Sequence, residues 1–313
     1  MVLKINFSDF WPGFNYSDFI VYKILKKYYE IEISETPDYL IFSDYSVNHL
    51  KYDCVKIRYS AENVRPDFKL ADFHIGFDYS DSPNYLRLPL YVSYFDEEYT
   101  LGRLVKTKSA SDIEQIINEK QKFCCILSSN DDATRRINFF KKLSKYKKVD
   151  SGGMVLNNIG YRVENKLAFV SEYKFNIAFE NESYPGYTTE KVLQPFHVNT
   201  IPIYWGSEKV YEEFNTKAFL NWHDYGDDES LIEKIIEVDE DEAIYKAYLQ
   251  ECLLYDRQAS LYFSELRVSN FFEKVFKLTS TSVDSNYRYI NSVQKTISTK
   301  LQAALYRFRT KSK

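Results

Sequence analysis

Phe175-Asn176-Ile177-Ala178-Phe179-Glu180-Asn181, then Pro185-Gly186-Tyr187-Thr188-Thr189-Glu190-Lys191, then Thr200-Ile201-Pro202-Ile203-Tyr204-Trp205-Gly206 make up the stretch that decides the fold. The apolar run Phe175 to Phe179 reads as a strand, a Pro-Gly loop follows, residues 188–198 read as a helix, and Ile201 to Tyr204 read as a second strand. Strand, helix and strand in that order are the unit of a parallel sheet, because parallel neighbours need a crossover connection. The start of the helix carries the chemistry. Unpaired backbone N–H groups and the positive end of the helix dipole favour an anion there, and Lys191 in the first turn adds a full charge. Glu190 can accept hydrogen bonds from ribose hydroxyls, and Thr188 is placed to cap the helix. Taken alone, such an arrangement is common. Pro195, in the second turn, removes a helical hydrogen bond and predicts a kink or a stop.

Working outward, the same alternation recurs upstream. Short β-rich runs at Val2 to Phe7, Tyr39 to Phe42, Cys54 to Ser60 and Phe73 to Phe77 surround a helix near Tyr16 to Tyr28. Leu86 to Tyr94 is another apolar run, after which Lys106 to Lys122 turns polar and helical, and a second alternation opens at Phe123 to Leu127 with a helix at 134–146. The pattern predicts an α/β protein of two Rossmann-like, doubly wound domains facing a cleft. The expected bounds are 1–115, 116–275 and a tail at 276–313. Ligands of such sheets bind beyond the carboxyl ends of the strands, which points to the loops after Ser60, Leu127 and Phe179.

Composition narrows the function classes. With 313 residues, 44% hydrophobic and 27% charged, the chain is long enough for two cores and too apolar for a disordered protein. Its aromatic residues can stack on sugar rings, although most aromatic side chains fill cores. The apolar run at Met1 to Phe7 is too short for a secretory signal and no stretch is long enough to span a membrane, so the chain reads as cytoplasmic. The four cysteines, Cys54, Cys124, Cys125 and Cys252, lack metal-knuckle spacing and read as reduced, buried thiols. Four histidines, none paired at ligand spacing, argue against a zinc site or a histidine-based triad. Net charge is -4, but seven basic and no acidic residues fall between Arg288 and Lys313, leaving the rest at about -11 and arguing against nucleic-acid binding. Val293, Ile297, Leu301, Ala304, Leu305 and Phe308 line one face of a helix in this tail. A peripheral contact with the anionic inner face of a membrane, or packing back onto the protein, fits equally.

The quoted stretch, Phe175 to Gly206, closely resembles the signature of the bacterial alpha-1,3/4-fucosyltransferases, glycosyltransferase family ten, with the Lewis-antigen-type enzymes among them. The resemblance extends to Ser129-Asn130 with Arg136 and Phe139, to Ser60-Ala61-Glu62-Asn63 and to Arg87-Leu88-Pro89-Leu90-Tyr91, covering residues 1 to about 256. It implies an enzyme of the GT-B type, with the acceptor glycan on the N-terminal domain and GDP-fucose on the C-terminal one. It places Arg136, Asn181, Tyr187, Glu190 and Lys191 on donor-binding positions and Glu62 on that of the catalytic base, with no obligatory metal cofactor. Thr188 departs from the Val that the family often has there.

The implied roles suit the residue types. GDP gains negative charge as it leaves, so Arg136 and Lys191 would stabilise the transition state more than the ground state. Inverting displacement needs a base for the acceptor hydroxyl, and Glu62, past the end of a strand, would gain a useful pKa from partial burial. The residues by themselves leave other readings open. Arg136, beside Arg135, can lie on a solvated helix face, and Glu62 can be a surface or capping group. Asp239-Glu240-Asp241 spells a metal-binding Asp-x-Asp, or else favours the start of the following helix. Transfer of a different nucleotide-linked sugar, or a non-catalytic glycan-binding protein at a membrane surface, remain the rival functions.

Overall fold

The protein is described by a computed structural model covering residues 2–94, 100–128, 134–255 and 264–281. The tail helix expected after Ile290, and Ser129 and Asn130, lie outside the described residues. Contacts divide the chain into two compact units, one of residues up to 93 with the helix at 264–281, the other of the described residues from 94 to 255.

The first unit is built on six strands: β1 (Val2–Ser8), β2 (Glu30–Ile33), β3 (Tyr39–Phe42), β4 (Val55–Tyr59), β5 (Phe73–Gly76) and β6 (Tyr85–Arg87). All pairs are parallel, in the order β2-β1-β3-β4-β5-β6. Interior strands of such a sheet are covered on both faces, which is why β5 is buried along its whole length. Edge strand β2, Glu-Ile-Glu-Ile, is mostly exposed. Helix α1 (Ile20–Tyr28) buries Val21, Ile24 and Leu25, the three- and four-residue spacing of one helical face. The helix Glu265–Thr281 packs against α1, with Phe276 edge-on to Tyr29 and Tyr39 and Phe271 edge-on to Phe73. Part of that helix falls in the stretch the sequence reading assigns to the second domain.

The second unit contains β7 (Lys122–Ile126), β8 (Val149–Ser151), β9 (Tyr173–Phe179), β10 (Ile201–Trp205) and β11 (Leu220–Asn221). Its helices are α2 (Thr100–Val105), α3 (Ala110–Glu119), α4 (Thr134–Leu143), α5 (Lys166–Val170), α6 (Glu190–His197), α7 (Val210–Glu213), α8 (Asp228–Glu240) and α9 (Glu242–Gln250). The sheet is again parallel, in the order β11-β10-β9-β7-β8. Phe123, Ile126, Phe139, Phe175, Phe179, Ile203 and Leu231 form the core between sheet and helices. Pro202, which has no ladder donor, is tolerated because short β11 pairs with Ile203 and Tyr204 only.

Both sheets bear out the doubly wound α/β class. In each, the second strand lies outside the first and the later strands run off the other side, so the order reverses between β1 and β3 and between β7 and β9. Crevices open at the carboxyl ends of strands at such reversals.

Candidate functional site

At the β7/β9 reversal, Arg136 projects from α4 and is only 4% exposed. Its Nε and Nη2 donate to the Phe179 carbonyl at 3.1 and 2.6 Å, Nη1 to Ser128 Oγ at 3.0 Å, and Nη2 also to Asn181 Oδ1 at 3.1 Å. The guanidinium thus ties the ends of the two strands together, and burial lowers its pKa without discharging it. The solvated-face alternative for Arg136 is overturned. Its neighbour Arg135 takes the outer position, paired with Asp228 and lying over the rings of Trp222, Trp205 and Phe179. Because Asn181 presents its oxygen to Arg136, its amide N–H groups face away and are left to donate elsewhere. Tyr187 is buried at 2% exposure and lies close enough to Arg136 to influence its charge.

The loop from β9 to α6 is held by short polar bonds. Gly186, at φ +83°, occupies the left-handed region that the turn requires, and its N–H donates to Ser207 Oγ at 2.8 Å. Ser183 Oγ donates to the Gly206 carbonyl at 2.7 Å. Helix α6 starts at Glu190 with Thr189 as its N-cap residue, so the expectation that Thr188 caps it is corrected. The Thr189 side chain does not itself cap α6. The Thr189 hydroxyl is drawn instead to Glu180 and so does not accept from the first N–H groups of α6. Pro195 does not break α6, which runs to His197, but the chain then tightens through Val198 N–H to the Pro195 carbonyl and turns out at Asn199, φ +57°.

Lys191 is not the bare cation that the sequence suggests. Its Nζ lies 3.0 Å from Glu180 Oε2, 2.9 Å from Thr189 Oγ1 and 3.9 Å from Glu190 Oε1. The Glu180 side chain is fully buried while 24% of Lys191 remains exposed. Burial opposes the Lys191 charge, yet Glu180 and Glu190 outweigh it and raise its pKa; Glu180 is itself pushed up by burial, with Lys191 opposing. Gly206 completes this arrangement. A Cβ there would stand 2.4 Å from Tyr204 Oη and 2.5 Å from Glu180 Cγ, so only glycine fits.

Arg136 and Lys191 line one pocket, with Lys166 and Gln194 beside them and Leu127, Asn176 and Phe179 among its walls. Glu190, Asn181 and Tyr187 neighbour this pair without lining the pocket. Lys166, which sequence reasoning missed, donates to Gln194 Oε1 at 3.3 Å. Its signal was present: like Lys191, it sits in the first turn of a short helix after a polar N-cap residue, here Asn165.

Glu62 belongs to the first unit, in the loop after β4. It is exposed rather than partly buried, which corrects that expectation, and accepts a hydrogen bond from Tyr45 Oη at 3.2 Å. Tyr45 follows β3 and faces Trp11, which follows β1, across the β1/β3 reversal with ring centroids 6.1 Å apart. Asp9 fixes these loops from φ +61°, accepting from Asn48 N–H at 2.8 Å, His49 N–H at 2.7 Å, the His49 ring at 2.6 Å and the Ser46 hydroxyl. Burial raises the Asp9 carboxyl, but these bonds outweigh it and hold the pKa down at about 2.

The acidic triplet is otherwise engaged. Asp239, at the end of α8, pairs with Lys147 and Lys174, each at 2.9 Å, and Asp241 caps α9 by accepting from Ala243 and Ile244 N–H. Among the described residues no group of three His, Cys, Asp or Glu side chains is arranged to hold a metal ion, and no helix is long and apolar enough to cross a membrane.

Residues 5–94 match the alpha-(1,3)-fucosyltransferase FucT N-terminal domain, and residues 117–295 the C-terminal domain of glycosyltransferase family 10 (fucosyltransferase). The chain is 31% identical to an alpha-(1,3)-fucosyltransferase FucT of Helicobacter pylori, over 92% of this chain and 67% of that protein. It is 34% identical to a putative fucosyltransferase of Acanthamoeba polyphaga mimivirus, over 51% of this chain but 28% of that protein. Among solved structures, an alpha1,3-fucosyltransferase with GDP-fucose shares 29% identity at a TM-score of 0.73, covering 87% of this chain and 90% of that one. Likeness to that structure bears out the GT-B type.

Proposed function

The chain belongs to the fucosyltransferases of glycosyltransferase family 10, and on that premise we propose that it transfers L-fucose from GDP-fucose to an N-acetylglucosamine-containing glycan, forming an alpha-1,3 linkage. The observation that carries this reading is the constellation at the β7/β9 reversal, where Arg136, Asn181 and Lys191 gather near the start of α6, whose N-cap residue Thr189 makes no side-chain cap. A diphosphate there meets backbone N–H groups, the Asn181 amide and two cations. Each gains strength as the leaving GDP accumulates charge, so the site favours the transition state over bound donor. Glu190, half-buried next to Lys191, supplies the acceptor for ribose hydroxyls. Tyr187 shapes the loop around them.

Displacement inverts the fucose carbon in one step. The acceptor oxygen bonds to that carbon, its proton passes to the Glu62 carboxylate, and the bond to the diphosphate breaks with its electron pair kept by GDP. Its exposure makes Glu62 accessible to a sugar hydroxyl. Trp11 and Tyr45, an indole and a phenol beside it, suit the flat faces of a glycan. Replacing Glu62 by Gln is expected to abolish transfer while GDP binding stays within about twofold, a change too small to reflect a lost charged contact. Retained turnover would remove Glu62 from the mechanism.

The basic residues between Arg288 and Lys313 give this enzyme a means of resting on an anionic bilayer. Sedimentation with phosphatidylglycerol vesicles is expected to be lost on truncation before Arg288; undiminished sedimentation would exclude that role.

A further inference from the structure

We propose that Glu180 is a positioning residue: it holds the Lys191 ammonium in place for the donor's diphosphate and does not itself touch the donor. The proposal rests on the reading of Lys191 as a diphosphate ligand. Glu180 is 1% exposed, so a ligand arriving from solvent cannot reach it directly. A buried carboxylate is costly unless every lone pair is satisfied, and here the partners are all on the segment that opens α6. Thr189 N–H donates to Oε1 at 2.7 Å, Thr189 Oγ donates to the carboxylate at 2.8–2.9 Å, and Lys191 Nζ donates to Oε2 at 3.0 Å.

Thr189 Oγ1 also accepts from Lys191 at 2.9 Å, closing a three-membered ring of polar groups. Two bonds therefore restrain a side chain that otherwise has four rotatable bonds to order when an anion binds. The backing of the ring is rigid. Glu180 N–H donates to the Trp205 carbonyl at 2.7 Å, and the missing side chain of Gly206 makes the room that Glu180 Cγ occupies. Lys191 itself keeps 24% of its side chain exposed, so a diphosphate can reach it and complete its shell of acceptors.

Glu180→Gln conserves volume and can still accept from Thr189 N–H, but the amide group it then turns toward Lys191 is a donor and repels the ammonium. Titration of the full chain with GDP and with guanosine, in parallel with Lys191→Ala, separates the possibilities. The expected result is about tenfold weaker GDP binding in Glu180→Gln, one order of magnitude being a plausible share of a charged contact, with guanosine binding unchanged. Thr189→Val, which keeps the backbone bond and removes only the hydroxyl, is expected to shift GDP affinity in the same direction by less, and decides the matter should the Gln variant not fold. Unchanged GDP binding in Glu180→Gln, or in Thr189→Val where that variant decides, with Lys191→Ala impaired, overturns the positioning role. Equal losses for GDP and guanosine overturn it too, since they mark a packing role. Unchanged GDP binding in Lys191→Ala overturns the donor-site reading itself.

Discussion

Arg136, Lys191 and Lys166 line one pocket but differ in how far the protein has already committed them. Four of the five Arg136 N–H groups are engaged by Phe179, Ser128 and Asn181, and Lys191 is balanced by Glu180, whereas among the described residues Lys166 meets only the neutral Gln194 amide. Arg136→Ala should therefore act on the fold as well as on GDP. It removes donors from the buried Phe179 carbonyl and Ser128 hydroxyl and is expected to cost about 3 kcal/mol in chemical denaturation. Lys166→Ala should leave unfolding unchanged and weaken GDP binding about fivefold at low ionic strength, with the difference shrinking in salt. A Lys166→Ala enzyme with unaltered GDP affinity would exclude Lys166 from the donor site. At this scale the sequence pointed to Arg136 and Lys191, which line the same pocket, but neither to Lys166 nor to the partners of each. Arg135-Arg136 looks like one solvated pair, and only packing reveals that one member faces Trp222 and the other the strand ends. The partner of Lys191 lies eleven positions upstream, across a loop whose path no periodicity encodes.

Among the elements, α3, β9 and α6 are joined by one buried lysine. Lys120, just past the end of α3, is 5% exposed and donates to the Ser171 carbonyl at 2.6 Å, the Val198 carbonyl at 2.7 Å and Thr200 Oγ1 at 2.8 Å. The bonds fix the segments that enter β9 and leave α6, and so fix the approach to the donor loop. Lys120→Met keeps the aliphatic stem but orphans three acceptors, and is expected to destabilise the protein by about 2–3 kcal/mol by urea titration; a loss under about 0.5 kcal/mol would show that water replaces the ammonium. Interior strands were legible because burial on both faces makes them continuously apolar, as Tyr39–Phe42 shows. Strands β2, β8 and β11 were not. Glu-Ile-Glu-Ile at an edge, Val-Asp-Ser and a two-residue Leu-Asn carry too little apolar pattern to register, and tertiary pairing alone makes them strands. Strand order was equally silent, since periodicity gives the type of an element and not its neighbour.

On the scale of the molecule, a buried carboxylate held well below its ordinary range is found in each unit among the described residues. Burial raises both Asp9 and Asp228, but hydrogen bonds from His49, Ser46 and Asn48 in the first, and from Arg135, Lys142 and Trp222 in the second, bring each down to about 2. A carboxylate with a depressed folded-state pKa adds stability that is complete above its unfolded value of 3.8 and vanishes as pH falls toward 2. Each contributes about 2 kcal/mol at neutral pH on that basis. Asp9→Asn, which tolerates φ +61° and so isolates the charge, should flatten the acid limb of stability between pH 4 and 2 by about that amount. An unchanged acid limb would mean that the Asp9 pKa does not differ between the folded and unfolded states.

Fucosyl transfer from a guanosine diphosphate donor is tested most directly by incubating the full chain with GDP-fucose and type 1 and type 2 N-acetylglucosamine-containing disaccharides and reading the products by mass spectrometry and NMR. The predicted result is a singly fucosylated disaccharide bearing an alpha-linked fucose on the N-acetylglucosamine, formed from the beta-linked donor and absent with Glu62→Gln. No product from GDP-fucose, with efficient transfer from a different nucleotide sugar, would contradict it.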